Sequence, residues 1–155
     1  MSNNRQSTIV GFTVILSIIL TAGVASAWNF TVPAQPVQPQ NGAFTFPVSA
    51  FQDGKAKHFE FKTPDGQRVR FFIVKSKDGA LRAALDACEV CFKAKKGYMQ
   101  QGNDMVCVNC GMKFKTEKVG EIKGGCNPSP LKLTVKGADV VVSQQDLMNG
   151  LHYFQ

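Results

Sequence analysis

Apolar and polar positions alternate in three parts of the chain, and each alternation runs into a turn. Phe44, Phe46 and Val48 occupy every second position and predict a strand, which Pro47 confines to an edge or interrupts. Lys55 to Lys62 (KAKHFEFK) alternates again with Phe59 and Phe61 on one face, Pro64-Asp65-Gly66 turns, and Arg68 to Lys75 (RVRFFIVK) returns, which predicts a β-hairpin. Phe71 to Val74 is apolar on both faces, so the return strand belongs in the middle of a sheet. Leu131 to Lys136 (LKLTVK), a turn at Gly137-Ala138-Asp139 and the run Asp139 to Ser143 (DVVVS) predict a second hairpin.

Between the hairpins the period changes. Leu81, Ala84, Leu85 and Cys88 fall at i, i+3, i+4 and i+7, so Ala80 to Ala87 reads as a helix capped by Asp78. Gln144 to Leu151 reads as a short helix, with His152-Tyr153-Phe154 closing against the core. The expected fold class is therefore α+β: a small domain of two β-hairpins bracketing a helix and a cysteine-rich metal-binding loop.

The first part of the chain departs from these patterns. A single Arg5, an apolar run from Ile9 to Leu20 and the ending Ala25-Ser26-Ala27 read as a secretory signal peptide over residues 1–27, with an uncleaved anchor as the alternative. Residues 28–42 contain TVPAQPVQPQNG, rich in proline and glutamine, and read as an extended linker. Residues 43–155 are then the folded domain. This order predicts an exported protein, periplasmic or on the extracytoplasmic face of a membrane. The net charge of +7 suits an acidic partner or a membrane surface. Nucleic acid is not expected as a partner of an exported chain.

All five cysteines lie between Cys88 and Cys126. Cys88 and Cys91 form one C-x2-C pair, Cys107 and Cys110 a second fifteen residues on, and Cys126 follows after another fifteen, in the run GGCNPSP. Two residues between cysteines let one turn of backbone bring both sulfurs to the same ion, and a second pair completes a tetrahedron. Gly111, directly after Cys110, supplies the positive φ that a tight thiolate-binding turn requires. The candidate ligands are Cys88, Cys91, Cys107, Cys110 and Cys126. On the helical reading, the first pair sits at a helix C-terminus. That disfavours thiolates without a bound cation and argues against a thioredoxin-like site, where a helix starts at the cysteines. Covalent haem is excluded, because Phe92 and Gly111 stand where C-x-x-C-H needs histidine.

The motifs VRFFIV, DGALRAALDACEVCFKAKKGY, VCVNCGMKF and GGCNPSPL, in that order, resemble the FtrD-like membrane iron-sulfur proteins over roughly Phe44 to Phe154. The resemblance implies a bacterial membrane setting and an iron-sulfur or other metal centre on the five cysteines. It also implies a role in passing electrons within systems that oxidise or import ferrous iron, with membrane iron-transport or redox proteins as partners.

The residues themselves leave the metal open. Two separated pairs suit a single zinc or iron ion as well as a cluster, since the C-x2-C-x2-C run of many four-iron sites is absent. Met99, Met105 and Met112 lie within the cysteine region and would suit Cu(I), with His58 and His152 as further ligands; the plainer account is that the methionines fill a small core. Two disulfides and a spare thiol are the third possibility for an exported chain. The lysines at 93, 95, 96, 113, 115, 118 and 123 would either dock an acidic redox partner or form a solvated face. No hydrolytic constellation and no small-molecule substrate site stand out. The sequence therefore points to electron transfer or metal binding, with copper or zinc delivery and a disulfide-stabilised interaction domain as alternatives to the iron-sulfur reading.

Overall fold

The computed structural model describes residues 32–155; the leader read over residues 1–27 lies outside them. Among the described residues no helix is long and apolar enough to cross a membrane. Three sheets are present. The central one has five strands in the order β1 (Gln35–Val37), β3 (Lys57–Lys62), β4 (Arg68–Lys75), β5 (Leu81–Leu85) and β9 (Pro130–Leu131). A second holds β10 (Thr134–Lys136), β11 (Asp139–Ser143) and β2 (Ala43–Pro47), and a third holds β6 (Tyr98–Gln101), β7 (Asp104–Cys107) and β8 (Lys113–Lys115).

The first hairpin forms with the register its alternation requires, whereas the second forms only from Thr134 on, because Leu131 pairs with β5 in the central sheet instead of continuing into β10. Phe59 stands opposite Phe71 and Phe61 opposite Val69 across β3 and β4, while Val135 faces Val140 across β10 and β11. β4 is the middle strand of its sheet, as its two apolar faces demand. Val69, Phe71 and Ile73 enter a core closed by Phe44, Val140 and Val142 of the second sheet. Phe72 and Val74 enter another, closed by Tyr98, Met105 and Cys107 of the third. The central sheet is thus covered on both faces, and the cysteine region is one of its covers. Edge-on and tilted phenylalanine pairs fill the first core, with Phe44 and Phe61 at 5.3 Å and Phe46 and Phe59 at 4.3 Å between ring centres. Each of the fully buried rings Phe44, Phe59 and Phe61 contributes about 1.5–3 kcal/mol.

The α+β expectation is corrected. The chain is mostly β, and the stretch read as a helix over Ala80 to Ala87 is β5. It pairs antiparallel with β4, Ala83 opposite Ile73, and with β9, Ala83 opposite Leu131. Ala83 and Leu85 face one core and Ala84 the other, so a short run apolar on both sides produced a helix-like spacing by coincidence. Asp78 caps no helix. Its carboxylate accepts from the Ala80 N–H at 3.1 Å and from Arg82 at 2.8 and 2.9 Å, holding the turn between β4 and β5, and these donors keep it well below the usual carboxylate range. The single α-helix of the described residues, α1 (Gln144–Met148), is capped by the Ser143 hydroxyl and ends sooner than expected, before a 3-10 turn over Leu151–Phe154. Gln35–Val37, within the stretch read as a linker, are extended and pair in parallel with β3.

Candidate metal centre

Two tight turns and one loop carry the five cysteines. The first turn leaves β5 through Asp86 and Ala87: Cys91 N–H donates to Cys88 Sγ at 3.2 Å, and Phe92 N–H to the Cys88 carbonyl at 3.2 Å. The second leaves β7, with the Gly111 N–H on the Cys107 carbonyl at 2.8 Å and Gly111 at φ +74°. The Asn109 and Cys110 amides pull the Cys107 thiol down, and the Met112 amide does the same for Cys110. Amides aimed at sulfur are what a thiolate in a metal site needs. Cys126 comes from the loop before β9, where Tyr98 donates its hydroxyl to the Cys126 carbonyl at 2.6 Å.

All five cysteines are unbonded. Their sulfurs fall into two sets, Cys88, Cys91 and Cys126, and Cys91, Cys107 and Cys110, in each of which every pair lies within 4.8 Å. Cys91 belongs to both. A tetrahedral ion with metal–sulfur bonds of about 2.3 Å spaces its sulfurs about 3.8 Å apart, and the Cys91 and Cys126 sulfurs are 3.8 Å apart. The donor set therefore fits a thiolate-bound metal. Burial pushes the Cys107 thiol up to about 12, against the pull of its two amides. Burial and the Cys110 and Cys91 sulfurs push Cys126 up to about 12. Cys110, exposed and served by the Met112 amide, is lowered. Thiols so disposed become ligands only when a cation supplies compensating charge. With a strand in place of the helix, the argument from a helix C-terminus lapses; desolvation does the same work.

The other candidates lie elsewhere. His58 is buried with its Nδ1 3.5 Å from Asp86, and His152 is exposed, stacked on Tyr153 at 4.0 Å. Met105 is fully buried in the core, whereas Met112, two residues after Cys110 in sequence, is 53% exposed. Of the lysines, Lys115 pairs with Asp104 at 2.9 Å and Lys118 with Glu121 at 3.2 Å.

Two residues not singled out from the sequence hold the centre in place. Asp86 is buried; one carboxylate oxygen accepts the Tyr98 N–H at 2.7 Å, and the other lies 3.5 Å from His58 Nδ1 and 3.4 Å from the Arg70 guanidinium. Asp86 thereby ties the central sheet to the third sheet two residues ahead of Cys88, and through the Tyr98 hydroxyl to Cys126. The Tyr98 phenol is raised, by burial first and then by Cys88. Gly97 makes the approach possible: a Cβ there would sit 2.5 Å from both Asp86 carboxylate oxygens, at a φ of +67°. Gly97→Ala is expected to cost about 1–3 kcal/mol from the backbone conformation alone, plus displacement of Asp86. A urea-unfolding midpoint equal to that of the native chain would contradict this.

A family model described as membrane iron-sulfur containing protein FtrD-like matches residues 51–154. No curated protein matches the sequence. Among solved structures, a crystal structure of the quaternary ammonium Rieske monooxygenase CntA in complex with an inhibitor is similar at a TM-score of 0.42 and 17% identity, over 64% of this chain and 30% of that one. The chain thus spans less than a third of that protein, and a likeness of this degree carries no argument.

Proposed function

The chain belongs to the FtrD-like family of membrane iron-sulfur containing proteins, and on that premise we propose that it is an exported, membrane-associated electron carrier that serves iron handling. Cys88, Cys91, Cys107, Cys110 and Cys126 hold its iron-sulfur cluster or iron ion. The observation that carries this reading is the convergence of five unbonded sulfurs into two sets joined at Cys91. An iron centre on thiolates supplies one-electron chemistry when bound. The chain supplies the rest. Backbone amides at Asn109, Cys110 and Met112 offset thiolate charge, and the second core keeps water from Cys88 and Cys107, which are 1% and 2% exposed. Cys110, by contrast, reaches the surface, and it is the sulfur through which a redox partner of the membrane iron-transport system makes its approach. The lysines around it suit an acidic docking face.

A second reading is supported by the same sets. Three sulfurs each are donors that Cu(I) selects, and a copper or zinc delivery protein would need no redox step. Anaerobic purification of the full chain, with elemental analysis, acid-labile sulfide and an absorption spectrum, separates the two. Iron with sulfur-to-iron charge-transfer bands is the expected result. Colourless protein carrying copper or zinc would replace the electron-carrier reading with the delivery one. Metal-free protein whose fold collapses with reductant alone would replace both with a disulfide-stabilised domain.

A further inference from the structure

The five sulfurs of the centre are not equally open to oxidation. Cys88 and Cys107 are buried, and a soluble oxidant does not reach them. Cys91 and Cys126 are half-buried and Cys110 is exposed. Of these three reachable residues, Cys91 and Cys126 bring their sulfurs into contact at 3.8 Å, although they stand 35 positions apart in the chain. Cys110 is grouped with Cys91 within a looser limit of 4.8 Å, together with buried Cys107.

The loop that carries Cys126 has room to close the remaining gap. A disulfide holds its sulfurs about 2.05 Å apart, so the pair has to approach by about 1.8 Å. Gly124 and Gly125, at φ +101° and +60°, precede Cys126, and a Cβ on Gly125 would meet nothing within 4 Å. Glycines in open surroundings let such a loop shift at low cost. The Cys126 carbonyl is held by the Tyr98 hydroxyl at 2.6 Å, which keeps this end of the loop at the centre.

The position of the pair makes its oxidation consequential. Cys91 is the sulfur common to both triads, and Cys126 belongs to one of them. A bond between the two withdraws a ligand from each triad at once. It leaves Cys88 alone and Cys107 with Cys110, too few thiolates for a stable site.

We propose that a reversible disulfide between Cys91 and Cys126 locks the metal-free centre against loading; this rests on the metal-centre reading of the cysteines, not on which metal they hold. The oxidant is a low-molecular-weight disulfide. The Cys91 sulfur bonds to one of its sulfurs as the oxidant's S–S bond breaks and a first thiol leaves. The Cys126 sulfur then bonds to Cys91, the mixed disulfide breaks and a second thiol leaves. Two protons and two electrons thus pass from the protein to the two departing thiols, and a thiol reductant reverses both steps.

The test uses the full chain, freed of metal with a chelator under anaerobic reducing conditions and then equilibrated in a glutathione disulfide buffer. Alkylation and peptide mass mapping should show one disulfide, between Cys91 and Cys126, formed ahead of any other. Co(II) uptake, read from its thiolate charge-transfer band, should fall below about a tenth of that of the reduced chain and return with dithiothreitol. Cys126→Ser in the oxidising buffer should take up Co(II) to within about twofold of its own reduced level, because Cys91 then keeps its thiol. A first disulfide joining Cys88 to Cys91 or Cys107 to Cys110 would overturn the lock and leave the metal-centre reading standing. So would undiminished Co(II) uptake by the oxidised chain, or a fall in Cys126→Ser as large as in the native chain. A fully reduced chain that takes up no Co(II) would overturn the metal-centre reading, and the lock with it.

Discussion

Replacement of Cys91 by serine is expected to empty the centre, lowering metal per chain to less than about a tenth of the native value. The other cysteines each belong to one sulfur set, whereas Cys91 belongs to both, so its loss leaves Cys88 with Cys126 and Cys107 with Cys110 as two separate pairs. Two thiolates do not hold a structural metal against water where three or four would. Cys126→Ser removes one sulfur from one set, and the expected result is a folded protein with altered metal content or slower loading. Elemental analysis of the purified variants decides between them. Native metal content in Cys91→Ser, with loss in Cys88→Ser, would show that the sets are not joined at this residue.

Asp86→Ala is expected to have the largest effect on stability of any change outside the cysteines, about 3–5 kcal/mol, because it leaves a buried guanidinium and an imidazole without their carboxylate and the Tyr98 amide without an acceptor. Chemical unfolding of the reduced protein measures it. Asp86→Asn keeps an oxygen for the Tyr98 amide and should retain part of the loss. The effect should also reach the centre, since the Tyr98 hydroxyl holds the Cys126 carbonyl. Metal content in Asp86→Ala should fall even though no sulfur has been touched. A change within about 1 kcal/mol, the range of exposed ion pairs, would mean that the buried charges find other partners.

The parts of this molecule that could be read from the chain are those where one face is wet or one rule dominates. The first hairpin, the second from Thr134 on, the central position of β4 and the turn at Gly111 follow from alternation, a doubly apolar run and a spacing that chemistry dictates. β5 could not be read, because Leu-Arg-Ala-Ala-Leu is composed of good helix formers and only pairing with β4 makes it a strand. The third sheet lies hidden within the cysteine-rich loop that the sequence predicts, where Met105 and Val106 pair with Phe114 and Lys113. Asp86 and Tyr98 carried no signal at all. One is an acid just ahead of a cysteine pair and the other an aromatic after a lysine-rich turn, and their meeting depends on a contact between two sheets.

The two outer strands of the central sheet each contain a proline, Pro36 in β1 and Pro130 in β9. A β-edge is a template on which another chain can add a strand, and proline blunts it by offering no N–H and by stiffening the backbone. β1 and β9 are also only three and two residues long, too short to guide an incoming strand through a full ladder. Among the described residues, strand addition to this sheet is therefore disfavoured at both margins, and crowding many copies together would not by itself stitch them into fibrils.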